Sequence, residues 1–261
     1  MSYTIVLQQA SVGYGTKAVV RDITLQVREG EILALIGPNG GGKSTILKSI
    51  AGQIRLLGGH IAVAGQDPAK ADPGEMAKHM AQVMTGRIHP EQMTGFDVAA
   101  LGRYPHTGRM GLLTPEDRRI VLEALAMLEA ENLSDVLFEE MSDGQRQRIL
   151  LARAICQEPQ VLLLDEPTSY LDIRYKVLFA KLLRKLAKER GMSILLSLHE
   201  PEMVPYLADR VLCVKGDTVF GQGSPGEILT EEKLCELYDL SPEAFRESWL
   251  PGLIRHNSVM A

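Results

Sequence analysis

The segment with the clearest chemical pattern is residues 37–44, which read Gly-Pro-Asn-Gly-Gly-Gly-Lys-Ser. It follows an apolar run, EILALI, and precedes a helical pattern. Glycines in such a turn let consecutive backbone N–H groups surround phosphate oxygens, while Lys43 reaches the outer phosphates and the Ser44 hydroxyl binds magnesium. The alternative is a glycine-rich turn without a ligand. A chance match in a chain of this length is on the order of one in a hundred, which favours a phosphate loop.

Two adjacent carboxylates follow a second apolar run. VLLLDE ends in Asp165 and Glu166, and such a run is typical of a strand covered on both faces. The carboxyl ends of parallel strands are the usual ligand side of an α/β sheet. We expect Asp165 to hold magnesium through water, and Glu166 to orient and polarise a water molecule that attacks a γ-phosphoryl group. A solvated strand end is the alternative if the phosphate loop is disregarded.

His199 closes a third apolar run, SILLSLH. A histidine at a strand end is more often structural, and taken alone it is weak evidence. However, the strand ends at Gly37, Asp165 and His199 should meet at one edge of a parallel sheet. We therefore expect His199 to contact the γ-phosphate and to fix the geometry of the water molecule and the carboxylate.

A fourth motif, residues 141–145, reads Met-Ser-Asp-Gly-Gln and is followed by a helical pattern, RQRILLARAI. Ser142 is a residue type that caps helix N-termini, where free N–H groups and the helix dipole favour an anion. The motif therefore predicts a helix start suited to a negatively charged ligand. The spacing alone does not indicate whether this ligand is bound by the same chain.

The elements that position these motifs alternate between strand and helix patterns. Strands TIVLQQ, VVRDITLQV and EILALIG begin the chain, and a helix is predicted over about 43–51. Residues 86–157 are predicted to be mostly helical, with a capped helix start at 114–117. Buried strands then alternate with an amphipathic helix over 174–190. This order predicts an α/β fold with a mostly parallel sheet.

Composition limits the functional classes. The chain has 261 residues, 45% of them hydrophobic and 23% charged, and a formal net charge of -5, which disfavours non-specific binding to nucleic acid. Its three cysteines are widely spaced in apolar contexts, so we expect buried, reduced thiols. No apolar run approaches the roughly 20 residues of a membrane helix, and the first residues lack a signal-peptide pattern.

The order and spacing of the motifs make the sequence similar to the nucleotide-binding subunits of ATP-binding cassette (ABC) transporters over roughly residues 3–240. The matching segments are 37–45 (Walker A), 141–145 (signature), 161–166 (Walker B), 169–172 (D-loop) and His199 (switch histidine). The resemblance implies a P-loop NTPase domain over residues 1–240 with an N-terminal antiparallel β subdomain. Its RecA-like core would span about 1–85 and 158–222, its inserted α-helical subdomain about 86–157, and a C-terminal tail 241–261.

The resemblance also implies ATP and Mg2+ as ligands. The implied ATP-binding residues are Tyr14, Gly37, Pro38, Asn39, Gly40, Gly41, Gly42, Lys43, Ser44, Thr45, Ser142, Gly144 and Gln145. Tyr14 matches the aromatic residue that stacks on adenine in this family, and its alternative is an ordinary strand tyrosine. Ser44, Asp165 and Thr85 would bind the metal, and Lys43, Glu166 and His199 would take part in hydrolysis.

In this family the signature contacts the ATP bound by a second subunit. The resemblance therefore implies that Ser142 and the Gly144 N–H donate to the γ-phosphate of a partner's ATP. Because the chain carries one phosphate loop and one signature, two copies in a twofold, head-to-tail dimer would form two complete sites.

Two positions depart from the family pattern. Asp143 stands where the signature usually has glycine, so its carboxylate must point away from the phosphate or be paired, for example with Arg146, and it is expected to weaken ATP-driven closure. In KHMAQVMTGR, the magnesium-binding glutamine of the family falls at Thr85 in our register. Gln82 lies three residues earlier, and a shifted strand would restore it to that role.

A narrower resemblance involves residues 101–113, LGRYPHTGRMGLL, which are similar to a segment of subunits that serve importers of iron-siderophores, haem and cobalamin. It implies a homodimer at the cytoplasmic face of the membrane, bound to two permease subunits and, indirectly, to an extracytoplasmic substrate-binding protein. A permease-facing surface that never touches cargo would explain the segment equally well. The alternatives are a soluble clamp or regulator acting on nucleic acid, which this acidic chain disfavours, and an exporter subunit.

Overall fold

The computed structural model describes residues 2–84, 90–108 and 111–247. The strands are β1 (Tyr3–Tyr14), β2 (Lys17–Arg28), β3 (Ile32–Ile36), β4 (Gly58–Val63), β5 (Met80–Val83), β6 (Val161–Leu164), β7 (Ser193–Ser197), β8 (Arg210–Lys215) and β9 (Thr218–Gly223). The α-helices are α1 (Lys43–Ile50), α2 (Pro73–His79), α3 (Gly95–Ala100), α4 (Pro115–Met127), α5 (Asp143–Cys156), α6 (Ile173–Arg190), α7 (Val204–Leu207), α8 (Pro225–Ile228) and α9 (Glu231–Tyr238). Short 3-10 helices cover Leu101–His106, Glu131–Leu133, Phe138–Glu140 and Pro201–Met203.

The central sheet has six strands in the order β5-β6-β7-β3-β8-β9. Its first five strands are parallel, and β9 pairs antiparallel with β8. This confirms the predicted α/β fold with a mostly parallel sheet. Because β6, β7 and β3 are neighbours, Asp165, His199 and Gly37 follow adjacent parallel strands and meet at one edge of the sheet, as predicted.

A second sheet contains three antiparallel strands in the order β2-β1-β4. The strand patterns TIVLQQ and VVRDITLQV lie within its long strands β1 and β2. The antiparallel N-terminal β region that the resemblance implied is therefore present beside the mostly parallel sheet.

The continuous apolar run of β3 is explained by burial on both faces. Ile32, Ala34 and Ile36 join a core shared with the helices of residues 90–157 and with α6, whereas Leu33 and Leu35 join a second core with β1, β2 and α1. Alternate residues of a strand point to opposite faces, so a strand between two cores needs apolar residues throughout. The phosphate loop that follows β3 is therefore attached to the most buried part of the molecule.

The predicted capped helix start at residues 114–117 is confirmed. Thr114 and Asp117 form a capping box at the first turn of α4, with Pro115 inside that turn. Arg103 is 6% exposed. It donates to Asp117 Oδ1 at 2.9 Å, to the Cys156 carbonyl oxygen at 2.7 Å and to Glu158 Oε2 at 2.8 Å. These contacts tie the 3-10 helix after α3 to the start of α4 and to the end of α5.

The three cysteines are free and buried, which confirms the predicted reduced thiols. Burial raises the pKa of the Cys156 thiol and of the Cys213 thiol to about 12, so both stay protonated at neutral pH. They are therefore packing residues rather than nucleophiles.

Candidate functional site

The phosphate loop forms most of the wall of a cavity of about 320 Å³. Residues 39–45, Glu166 and His199 line it. Two glycines give the loop its shape: Gly37 has φ +142°, and a Cβ there would lie 2.0 Å from the Val214 carbonyl oxygen. Gly42 has φ +94°, and a Cβ there would lie 2.4 Å from Val20 Cγ2. Larger residues cannot be accommodated at these two positions without rearrangement.

Lys43 places a positive charge at the base of the cradle. It is 4% exposed, and its ammonium donates hydrogen bonds to the carbonyl oxygens of Gly37 at 2.8 Å and Pro38 at 3.0 Å. Burial lowers its pKa, and the nearby carboxylates of Glu166 and Asp165 oppose this effect. The bonds to its own loop fix the ammonium beside the cavity, where phosphate oxygens would be the natural acceptors.

Ser44 and Asp165 bring two oxygen ligands together. Ser44 Oγ donates to Asp165 Oδ1 at 2.9 Å, and the Asp165 side chain is almost completely buried, with the residue 1% exposed. Within the described residues there is no group of three or more His, Cys, Asp or Glu side chains suited to a metal. A pair of hard oxygen donors beside a phosphate cradle fits Mg2+, which takes few protein ligands and completes its coordination with water and phosphate.

β6 stops at Leu164, the last apolar residue of VLLLDE, and Glu166 after it adopts φ +50°. This turn directs Glu166 toward the cavity, where its Oε1 contacts His199 Nε2. β7 likewise ends at Ser197, two residues before His199. The predicted carboxylate and histidine are therefore adjacent, in an arrangement that can orient one water molecule.

Ser197 is a site residue that the sequence did not reveal. It is fully buried, its Oγ donates to Asp165 Oδ1 at 2.7 Å, and it accepts the Glu166 N–H at 2.9 Å. One hydroxyl thus holds both carboxylate-bearing residues. The only signal was a serine inside the apolar run SILLSLH, and a buried hydroxyl requires a partner.

The signature segment caps α5 as its sequence predicted. Ser142 Oγ accepts the Gln145 N–H at 3.3 Å, and Gln145 Oε1 accepts the Ser142 N–H at 2.8 Å. Gly144 packs against the D-loop, since a Cβ there would lie 2.9 Å from the Tyr170 carbonyl oxygen. Residues 141–145, all of them described, are absent from the lining of the phosphate-loop cavity. The two predicted anion-binding features are therefore separate within one chain.

Of the two arrangements expected for the Asp143 carboxylate, the structure shows the pairing with Arg146. Arg146 Nη1 lies 3.4 Å from Asp143 Oδ1, one turn along α5. Arg146 also donates from Nε to the Phe138 carbonyl oxygen at 3.0 Å and from Nη2 to the Glu139 carbonyl oxygen at 2.6 Å. The acid of the signature thus has a cation fixed beside it.

The remaining predicted residues lie around this site or outside the described residues. Tyr14 ends β1 and is 54% exposed, so its ring is available for stacking and its adenine role stays a prediction. Gln82 lies within β5, and its Oε1 accepts a hydrogen bond from Gln53 Nε2 at 3.0 Å. Thr85 falls in residues 85–89, outside the described residues.

A glycine cradle at a helix start, a serine–aspartate pair and a strand-end glutamate together define a P-loop ATPase. The family model described as ABC transporter matches residues 20–169, and the chain belongs to this family. Among the curated relatives, an uncharacterized ABC transporter ATP-binding protein of Methanocaldococcus jannaschii is 45% identical, with 92% of this chain and 83% of the relative covered. The iron(3+)-hydroxamate import ATP-binding protein FhuC of Bacillus subtilis is 34% identical, with 90% and 88% covered.

Solved structures agree with this assignment. One chain of an inward-facing metal-chelate type ABC transporter has a TM-score of 0.78 and 29% identity, with 90% of this chain and 89% of that chain covered. The dimeric structure of MJ0796, a bacterial ABC transporter cassette, has a TM-score of 0.76 and 25% identity, with 85% and 98% covered. The chain is thus an ATP-binding subunit and ATPase of the kind that powers ABC transporters, and such subunits work with permease partners. Across the described ranges, no helix is long and apolar enough to span a membrane.

Proposed function

We propose that this chain is the ATPase motor of an importer for an iron chelate or a related metal-containing cofactor: an iron-siderophore, haem or cobalamin. The support comes from two independent comparisons, because a curated relative imports iron(3+)-hydroxamate and a structural neighbour is of the metal-chelate type. Within the segment 101–113, which motivated the same cargo class from the sequence, the side chains of Leu101, Tyr104 and Leu112 are exposed. In this proposal two permease subunits and an extracytoplasmic substrate-binding protein complete the importer, and the chain lies peripherally at the cytoplasmic face of the membrane.

The working unit in this proposal is a homodimer that holds two ATP molecules at its interface. The observation that carries it is the separation of two features within one chain: the cavity contains the cradle, Glu166 and His199, whereas Ser142 at the tip of α5 is exposed and lies outside it. A twofold dimer would bring the Ser142 tip of one copy to the cradle of the other. The dimeric cassette among the structural neighbours supports this arrangement.

In this proposal each polar group of the site has a separate task. Backbone N–H groups of the glycine loop and the Lys43 ammonium bind the phosphates, and Tyr14 stacks on the adenine. Ser44, Asp165 and Thr85 would hold Mg2+, which when bound neutralises the charge that develops on the phosphates. Glu166 accepts a proton from the attacking water molecule, and His199 keeps the Glu166 carboxylate in position.

Closure of the dimer is the step that would be coupled to transport. When Ser142 and the Gly144 N–H reach the partner's γ-phosphate, α5 moves together with the helical subdomain, which we place at about residues 86–157 between the core segments 1–85 and 158–222. Arg103, which lies in the segment 101–113 and donates to the carbonyl oxygen at the end of α5, would pass this motion through that segment to the permease.

The test uses Glu166→Gln. Hydrolysis should fall by roughly 100-fold or more, equivalent to about 3 kcal/mol of lost transition-state stabilisation, while ATP stays bound. Sedimentation with ATP and Mg2+ should show a stable dimer, and Glu189→Gln, a surface change at the end of α6, should behave like the parent. A Glu166→Gln protein that binds ATP and stays monomeric would contradict the shared-site proposal.

Stimulation of the ATPase by ferric siderophore, haem or cobalamin in liposomes with the co-purified permease would then identify the cargo class.

A further inference from the structure

The tip of α5 carries more negative charge than a phosphate-binding helix start should. Residues 138–146 read Phe-Glu-Glu-Met-Ser-Asp-Gly-Gln-Arg, with three carboxylates and one cation. Asp143 is the first residue of the helix, its side chain is 44% exposed, and it directly follows Ser142. A carboxylate there repels the γ-phosphate that the Ser142 hydroxyl would contact.

Arg146 is the one cation in this nine-residue segment, and its position is determined by several contacts. Its guanidinium pairs with Asp143 at 3.4 Å and donates to the carbonyl oxygens of Phe138 and Glu139. It also stacks over the Phe138 ring at 5.8 Å from the centroid. An arginine held on three sides cannot swing away from Asp143 easily, so its charge stays beside the signature.

We propose that Arg146 is a positioning residue that neutralises Asp143 and thereby lets the signature accept the triphosphate of a second copy. This inference rests on the proposed shared site and adds the requirement for a matched charge pair. The acid holds Arg146 at the helix tip, and Arg146 cancels the acid's repulsion of phosphate. Loss of the arginine alone removes the one positive charge of the segment, whereas loss of both members leaves Glu139 and Glu140 and so keeps the net charge of the parent segment.

A purely structural role for Arg146 gives different expectations. If its hydrogen bonds to the two carbonyl groups were all that mattered, Arg146→Gln and Arg146→Lys, which both keep N–H donors, should be tolerated about equally. If charge matters, Arg146→Lys should retain function and Arg146→Gln should lose it. In the charge model, Asp143→Gly rescues Arg146→Gln, since the glycine removes the charge that required neutralisation.

The experiment measures the dissociation constant of the ATP–Mg2+ dimer by sedimentation in the Glu166→Gln protein. Arg146→Gln should weaken the dimer roughly tenfold, because a partly exposed charge pair gives a few-fold effect and each dimer contains two sites. Arg146→Lys should remain close to the parent, and Arg146→Gln combined with Asp143→Gly should regain at least parental affinity. Arg119→Gln removes the same charge from an exposed pair on α4 and should have no effect.

The outcomes separate this inference from the shared-site proposal. If the Glu166→Gln parent stays monomeric with bound ATP, the shared site itself fails. If the parent dimerises and Arg146→Gln dimerises equally well, or if Asp143→Gly does not rescue Arg146→Gln, the charge-pair inference is wrong while the shared site stands. Binding of a fluorescent ATP analogue to the monomer should be unchanged by every Arg146 variant, because the phosphate loop is untouched.

Discussion

Ser197 Oγ donates a hydrogen bond to Asp165 Oδ1 at 2.7 Å, the same carboxylate oxygen that accepts a hydrogen bond from Ser44. The Ser197 hydroxyl also accepts the Glu166 N–H. A single buried side chain on β7 therefore orients Asp165, the proposed magnesium ligand just after β6, and the backbone of Glu166, the proposed general base. Such a supporting group sets the geometry of the ligands without contacting the substrate.

Ser197→Ala should impair magnesium-dependent turnover with little change in folding. The serine is fully buried, and alanine fills most of its space but leaves Asp165 Oδ1 and the Glu166 N–H each with one partner fewer. Loss of such a supporting hydrogen bond costs roughly 10- to 100-fold in metal affinity or activity. Titration of ATPase activity with Mg2+ should show a higher half-saturation concentration.

The matched control for that experiment is Ser193→Ala. Ser193 lies at the other end of β7 and is also fully buried. Ser193 donates to the Arg28 carbonyl oxygen and so belongs to the packing of β2, away from the phosphate loop. Unchanged magnesium dependence in Ser197→Ala, together with a normal turnover rate, would show that the hydroxyl is dispensable.

Lys43→Ala should remove tight ATP binding. Its ammonium lies at the base of the cradle, and loss of one member of a buried, charge-assisted contact costs roughly 2–5 kcal/mol, or at least about 30-fold in affinity. Equilibrium titration with a fluorescent ATP analogue measures the effect. Lys48→Ala, in the last turn of the same helix, removes an equal charge and should bind normally. Parental affinity in a folded Lys43→Ala protein would refute the cradle assignment.

Several parts of this site could be predicted because local sequence specifies them. The glycines at 37 and 42 need backbone conformations that other residues rarely adopt, and the strand-to-helix context of the loop is visible in EILALI. The antiparallel pairing and the order β5-β6-β7-β3-β8-β9 are long-range properties, and periodicity carries no information on which strands become neighbours.

The contacts that the sequence did not predict also depend on which strands become neighbours. Ser197 reaches Asp165 only because β7 and β6 are adjacent, a relation between residues 32 positions apart. Glu166 was predicted to lie at a strand end, yet its φ of +50° depends on the turn that packs it beside His199. Chemistry-bearing residue types were visible in the sequence, whereas the hydroxyl that orients them looked like an ordinary strand residue.

The metal role assigned to Thr85 can be separated from that of Gln82. Gln82 is bound to Gln53, which lies beyond the C-terminal end of α1, whereas Ser44 lies at its N-terminal end. The six helical steps from Ser44 to Ile50 correspond to about 9 Å, and Gln53 lies beyond them, so the side chain of Gln82 contacts the end of α1 that is remote from the proposed metal ligands. Thr85→Ala should therefore raise the Mg2+ requirement of the ATPase, and Gln82→Ala should leave it unchanged. The reverse result would mean that the family's magnesium-binding glutamine corresponds to Gln82 and that our alignment of this position with Thr85 is wrong.

The buried pair of Arg103 and Asp117 makes folding stability depend on pH. Hydrogen bonds from the Thr114 side chain and backbone, followed by those from Arg103, lower the pKa of Asp117 from 3.8 to about 2. A carboxylate whose pKa is lower in the folded state stabilises the protein above the pKa of the unfolded state. This contribution is therefore complete above roughly pH 5 and is lost progressively as the pH falls through 4 toward 2.

Asp117→Asn should consequently reduce the free energy of unfolding by about 2 kcal/mol at neutral pH, because a neutral amide replaces the carboxylate that accepts from Thr114 and pairs with the buried Arg103 guanidinium. The difference from the parent should shrink below about pH 4, where Asp117 of the unfolded parent begins to take up a proton while Asp117 of the folded parent is still charged. Urea unfolding at a series of pH values between 3 and 7 measures both quantities. Asp135→Asn, the same change at an exposed site, should leave the free energy of unfolding nearly constant. A gap between Asp117→Asn and the parent that stays equally large down to pH 3 would show that lost packing, rather than the lost charge, causes the destabilisation.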